Sequence, residues 1–161
     1  TSRICMGLLL LFVILAVFWT KHHQQCHFIS RSDGPMLWIN LIALFFVSII
    51  PFSTSLVGDY GHMPIAALIF ETNILAGGLI FWLHWRHATS GRQLVDKDLG
   101  DDVVAFYRRG TYVIPAASVL AMALTALNPR LGTMVYLLVP VTFILMRLSF
   151  GAYAAQQKAR A

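Results

Sequence analysis

Residues 4–20 read ICMGLLLLFVILAVFWT, seventeen positions without a charge and without a polar face. A stretch so uniformly apolar is suited to lipid on most sides rather than to the edge of a water-soluble core. Four more apolar stretches follow at 36–57, 64–85, 111–127 and 131–150. Each is to be weighed against the roughly 20 helical residues that cross about 30 Å of hydrocarbon. Over all 161 residues, 58% are hydrophobic, 12% are charged, and the mean hydropathy is +0.70. Soluble domains carry about 25% charged residues, so a water-soluble enzyme is excluded. The sequence therefore predicts an all-α polytopic membrane protein, with residues 1–161 forming a single transmembrane domain.

A cleaved signal peptide would need small residues after the apolar run. Trp19, Lys21, His22 and His23 stand there instead. The second stretch holds Asn40 early and Pro51 late, and a proline so placed predicts a kink. In the third, the Gly77-Gly78 pair leaves room for a neighbouring helix to approach. Pro115 and Pro140 interrupt the last two, which Asn128-Pro129-Arg130 joins in a tight turn. Residues 86–110 are the long polar segment, read as a solvated cytoplasmic loop with a short amphipathic helix near its end.

The charges set the orientation. Twelve Lys and Arg against seven acids give a formal +5. With five alternating spans, Lys21, Arg31, Arg86, Arg92, Lys97, Arg108, Arg109, Arg147, Lys158 and Arg160 share one side, and Arg3 and Arg130 the other. By the positive-inside rule the first side is cytoplasmic, the C-terminus with it. The same rule accounts for the basic excess without nucleic acid. Thr1 then lies outside, and because it is not Met, one further helix is expected to precede it, making five transmembrane helices of an expected six.

Few residues invite chemistry. Cys5 and Cys26 lie at opposite ends of one helix, too far apart for a disulfide. On a continuing helix His23, Cys26 and His27 share a face at metal-ligand spacing, but no fourth ligand accompanies them. His22, His23, His84 and His87 could in principle serve a haem, yet they sit at the cytoplasmic rim rather than at a common depth in a bundle. With Trp19, Trp82 and Trp85 they read more simply as an interfacial belt. Glu71 is an acid inside an apolar span, which marks an ion pathway or a buried polar partner. Phosphate loops, nucleophile elbows and paired carboxylates are absent from the sequence, so the chain is not read as an enzyme.

One set of motifs is more specific. Trp19-Thr20-Lys21-His22-His23, Phe28-Ile29, Leu37-Trp38-Ile39-Asn40-Leu41 and Ile50-Pro51-Phe52-Ser53-Thr54, with Tyr60 beyond, resemble the second and third helices of the transmembrane protein 175 family of potassium channels. The resemblance covers about residues 15–60, and the later spans fit the family's layout more loosely. It implies six helices with both termini cytoplasmic, assembly with copies of itself as a homotetramer, a multi-pass place in the plasma (inner) membrane, and passive conduction of potassium. Potassium is then the permeant species, with no cofactor and no metal site. The family's defining Phe-Ser-Asp, on its pore-lining first helix, is not among these 161 residues. What carries over is a bracing network for that helix: Trp19, His22, His23 and Asn40. The reading from a different class is a membrane-embedded haem or metal-binding redox protein using the rim histidines.

Overall fold

The computed structural model describes residues 2–92, 94–95 and 99–160, with side chains described over 8–91, 94–95 and 99–151. Asp96, Lys97 and Asp98, and the side chains of Arg3, Cys5, Arg92, Lys158 and Arg160, lie outside the described residues. The chain forms helices α1 (Ser2–Phe28), α2 (Gly34–Tyr60), α3 (Pro64–Thr89), α4 (Asp101–Thr111), α5 (Val113–Thr125), α6 (Pro129–Met134) and α7 (Val139–Arg160). The described residues contain no strand beyond one isolated bridge.

Local chemistry sets the boundaries. Asp33 caps α2, accepting the Met36 N–H at 2.8 Å, and Pro35 lies in the first turn. Pro64 begins α3, and Asn128 caps α6 by accepting the Arg130 N–H at 3.0 Å, ahead of Pro129. α2 continues through Pro51, where the Ser53 and Thr54 hydroxyls both donate to the Ile50 carbonyl. The two later prolines act more strongly. Pro115 has no N–H to give the Thr111 carbonyl, and the helix divides there into α4 and α5 at Tyr112. Pro140 likewise leaves the Tyr136 carbonyl without its usual donor, and Val135–Leu138 tighten into a 3-10 turn.

The structure refines two sequence expectations. The apolar stretch 111–127 holds α5, whose 13 residues rise about 20 Å and follow α4 directly through the αR residue Tyr112. Among the described residues, Gly34–Tyr60, Pro64–Thr89 and Pro129–Gly151 are long and apolar enough to cross a membrane, and α1 matches them in length with 27 residues. The segment 86–110 is also less solvated than its charges suggest. α3 reaches Thr89, and Val95 pairs with Ile29 in an antiparallel bridge, with the Ser30 N–H donating to the Leu94 carbonyl at 2.9 Å. Leu94 and Val95 are buried with Met36 and Ala88 in a small second core, because two apolar residues amid charges still gain by leaving water. The amphipathic helix expected near the segment's end is α4.

α3 occupies the middle of the bundle. The main core joins Leu10, Ile14 and Phe18 of α1, Ala43 and Ile50 of α2, Phe70, Ile74 and Phe81 of α3, Ile114 and Ala121 of α5, and Tyr136. Gly77 and Gly78 make this possible on both sides of α3. A Cβ on Gly77 would stand 3.0 Å from the Phe18 ring of α1, and one on Gly78 only 2.7 Å from Ile114 of α5.

Candidate functional site

Polar side chains gather at two levels of α3. At the end where the basic residues cluster, Gln25 of α1 is buried. Its amide Nε2 donates to the Phe81 carbonyl at 3.3 Å, which leaves Oε1 to accept from His84 Nδ1 at 3.0 Å. That contact fixes the His84 tautomer as the one protonated at Nδ1. The His22 ring lies 6.2 Å from His84 and 5.9 Å from Phe81, and Cys26 Sγ is 3.7 Å from His22 Nε2. A helical turn further along α3, His87 Nε2 donates to both oxygens of Asp33, at 3.0 and 3.1 Å. The backbone N–H of Met36, and then His87, hold the Asp33 carboxyl below its ordinary range.

Toward the other end, Glu71 is fully buried and accepts the Thr125 hydroxyl of α5 at 2.6 Å. Its second oxygen has no partner. Gly132 of α6 closes the site: a Cβ there would collide with Thr125 Oγ1 and stand 2.6 Å from Glu71 Oε1. Tyr136 donates to Ser118 at 3.1 Å, and Asn73 of α3 donates to Ser53 of α2 at 3.3 Å.

The residues singled out in the sequence differ in their surroundings. Trp19 is 70% exposed, and His23 is exposed with it. Asn40 is half-buried, and its Oδ1 has no partner. Among the described residues, no hydrogen bond joins Trp19, His22, His23 and Asn40 to one another. His23, Cys26 and His27 do not converge; the contact that forms is between Cys26 and His22, one turn apart. Among the described residues no group of three His, Cys, Asp or Glu could hold a metal ion, so the redox reading gains no support. Sequence reasoning missed Gln25, Asp33 and Thr125. Gln25 carried a faint signal, a neutral amide on the stripe of α1 that includes Ile14 and Phe18. Thr125 carried none, since a threonine hydroxyl reads as apolar-compatible in any helix.

A helical bundle with an apolar exterior and buried polar contacts such as Glu71 with Thr125 and His84 with Gln25 is the construction of a polytopic membrane protein. The comparisons narrow the class. The family model described as the endosomal/lysosomal potassium channel TMEM175 matches residues 2–51. A potassium channel of Chamaesiphon minutus is 28% identical over 141 residues, covering 83% of this chain and 64% of that protein. A potassium channel of Streptomyces collinus is 27% identical over 89 residues, covering 53% of this chain and 43% of that protein. The crystal structure of a lysosomal potassium-selective channel TMEM175 homolog from Chamaesiphon minutus superposes with a TM-score of 0.74 at 24% identity, covering 87% of this chain and 71% of that one. The resemblance read in residues 15–60 is thus met by the family model, by the relatives and by the fold. The chain spans less than two thirds of the length of these two relatives.

Proposed function

We propose that this chain is the scaffold of a potassium-selective channel subunit that conducts passively. The carrying observation is that similarity to named potassium channels extends over 141 residues in sequence while the fold agrees over 87% of the chain. Residues 1–161 act as one transmembrane domain in the plasma (inner) membrane, with the C-terminus on the cytoplasmic side by the distribution of Lys and Arg. The conducting element, which the resemblance assigns to a first helix bearing Phe-Ser-Asp, is not in this sequence. A homotetramer would place four such helices around one axis. Trp19, His22, His23 and Asn40 brace that helix. The exposed Trp19 and the unpartnered Asn40 Oδ1 support this role, because both sit ready for a contact that these residues do not make among themselves. Glu71 is assigned to packing rather than to the ion pathway, because α3, α5 and α6 enclose it.

Reconstitution tests the reading. Full-length protein in liposomes should pass potassium down its gradient without an opposing proton gradient, and the 161 residues alone should not. Potassium flux that required a proton gradient would overturn passive conduction, and flux through the 161 residues alone would misplace the pore. Asn40→Ala in the full-length protein should lower oligomer yield before it alters selectivity. Normal yield and normal currents would remove Asn40 from the brace.

A further inference from the structure

Between α1 and α7 lies a cavity of about 380 Å³. One half is apolar, with Val13, Ala16 and Val17 from α1 facing Pro140 and Ile144 from α7. Its other end carries Lys21 and Arg147. Both helices pass from the apolar part to the basic part in the same chain direction. At 1.5 Å per residue, Val13 to Lys21 and Pro140 to Arg147 each give a slot of roughly 10–12 Å beneath the charges. An extended alkyl chain fits along such a half-open slot.

Among the described residues, no acidic side chain lines the cavity and no salt bridge reaches Lys21 or Arg147. Lys21 Nζ instead rests 3.8 Å from the centre of the Phe143 ring. It is held there between that ring and Gly110, where a Cβ would come within 3.2 Å of it. Two cations at one half-enclosed site repel unless an anion bridges them. A phosphodiester accepts from an ammonium and from the planar fork of a guanidinium at once.

We infer that the α1–α7 groove binds an anionic phospholipid of the inner leaflet, its phosphodiester bridging Lys21 and Arg147 and one acyl chain lying between Val13, Ala16 and Ile144. A zwitterionic lipid, whose own ammonium cancels its phosphate, leaves the site two positive charges in excess where a monoanionic lipid leaves one, and is retained less. The inference rests on the membrane placement proposed above and not on conduction, and lipid retention is read without flux, so the two can fail separately.

Native mass spectrometry of the detergent-purified full-length protein, incubated with phosphatidylglycerol or phosphatidylcholine, tests it. Phosphatidylglycerol should be retained in preference. At roughly fivefold for each basic residue near a membrane surface, the double variant Lys21→Gln with Arg147→Gln should retain about 25-fold less. Ala16→Trp keeps both charges and should empty the groove of lipid, with oligomer yield measured alongside to separate loss of lipid from loss of assembly. Millimolar inorganic phosphate should not displace the lipid. Equal retention of the two lipids, undiminished binding by the double variant, or undiminished binding by Ala16→Trp because another segment of the chain fills the slot, would each overturn the site. Displacement by free phosphate would do so as well.

Discussion

α2 and α3 are almost the same helix on paper and opposite in place. They have 27 and 26 residues, and their most apolar windows have mean hydropathies of 2.1 and 1.7. Yet half of the α3 window is buried inside the bundle, against 22% of the α2 window. α2 turns Leu37, Trp38, Leu41, Phe45 and Phe52 outward, where lipid can cover them. α3 keeps Glu71, Asn73 and His84 inside. In a bilayer the outside of a protein is as greasy as its core, so apolar content places a helix in the membrane without saying where in the bundle it stands. Polar residues and glycines locate it, because only other helices can satisfy the first and fill the space over the second.

The comparison breaks most visibly at glycine. Gly132→Leu would drive a side chain into Thr125, Glu71 and the Ala121 carbonyl, one of which is backbone and cannot rotate away. We expect a cost of about 3 kcal/mol or more and little monodisperse protein on size-exclusion chromatography. Gly58→Ala on α2, where nothing stands within 4 Å, should leave the elution profile and thermal midpoint unchanged or slightly raised. If both substitutions behaved alike, the central packing of α3 against α6 would be wrong.

Removing the buried carboxylate comes next. Glu71→Ala leaves the Thr125 hydroxyl without its acceptor and opens a void, for a loss of about 2 kcal/mol in detergent unfolding. Glu71→Gln should recover most of it, since an amide oxygen still accepts from the hydroxyl. Thr72→Ala, one residue along and exposed, should lie within about 0.5 kcal/mol of the parent. At the other level of α3, His84→Ala strands the Gln25 carbonyl oxygen and should cost about 1–2 kcal/mol.

The smallest effect belongs to the rim. Asp33→Ala removes the α2 cap and the His87 contact at a partly exposed site, and should lower the thermal midpoint only modestly. Because the Asp33 carboxyl is held below its ordinary value of 3.8, its contribution is present above that value and fades as pH falls through the depressed one. The gap between parent and variant midpoints should therefore be constant near neutrality and close only in acid. A gap that stayed open in acid would remove the carboxylate as the deciding group.

Some of this was legible in residues alone. The apolar runs and the sparse charge required membrane helices, because an unpaired backbone cannot lie in hydrocarbon and a helix satisfies its own. The side distribution of Lys and Arg supplied the orientation proposed above, and the motifs from Trp19 to Tyr60 pointed to the potassium channels that the chain resembles. Gly77-Gly78 announced a close approach before its partners, Phe18 and Ile114, were known. The tertiary structure alone decided which polar residue meets which. Glu71 finds Thr125 across 54 positions, His84 finds Gln25 across 59, and Leu94 and Val95 leave a charged segment to cover Ala88. No local period carries such pairings. A carboxyl or an imidazole in an apolar span states only that some partner must exist, and which one it is depends on how the helices pack.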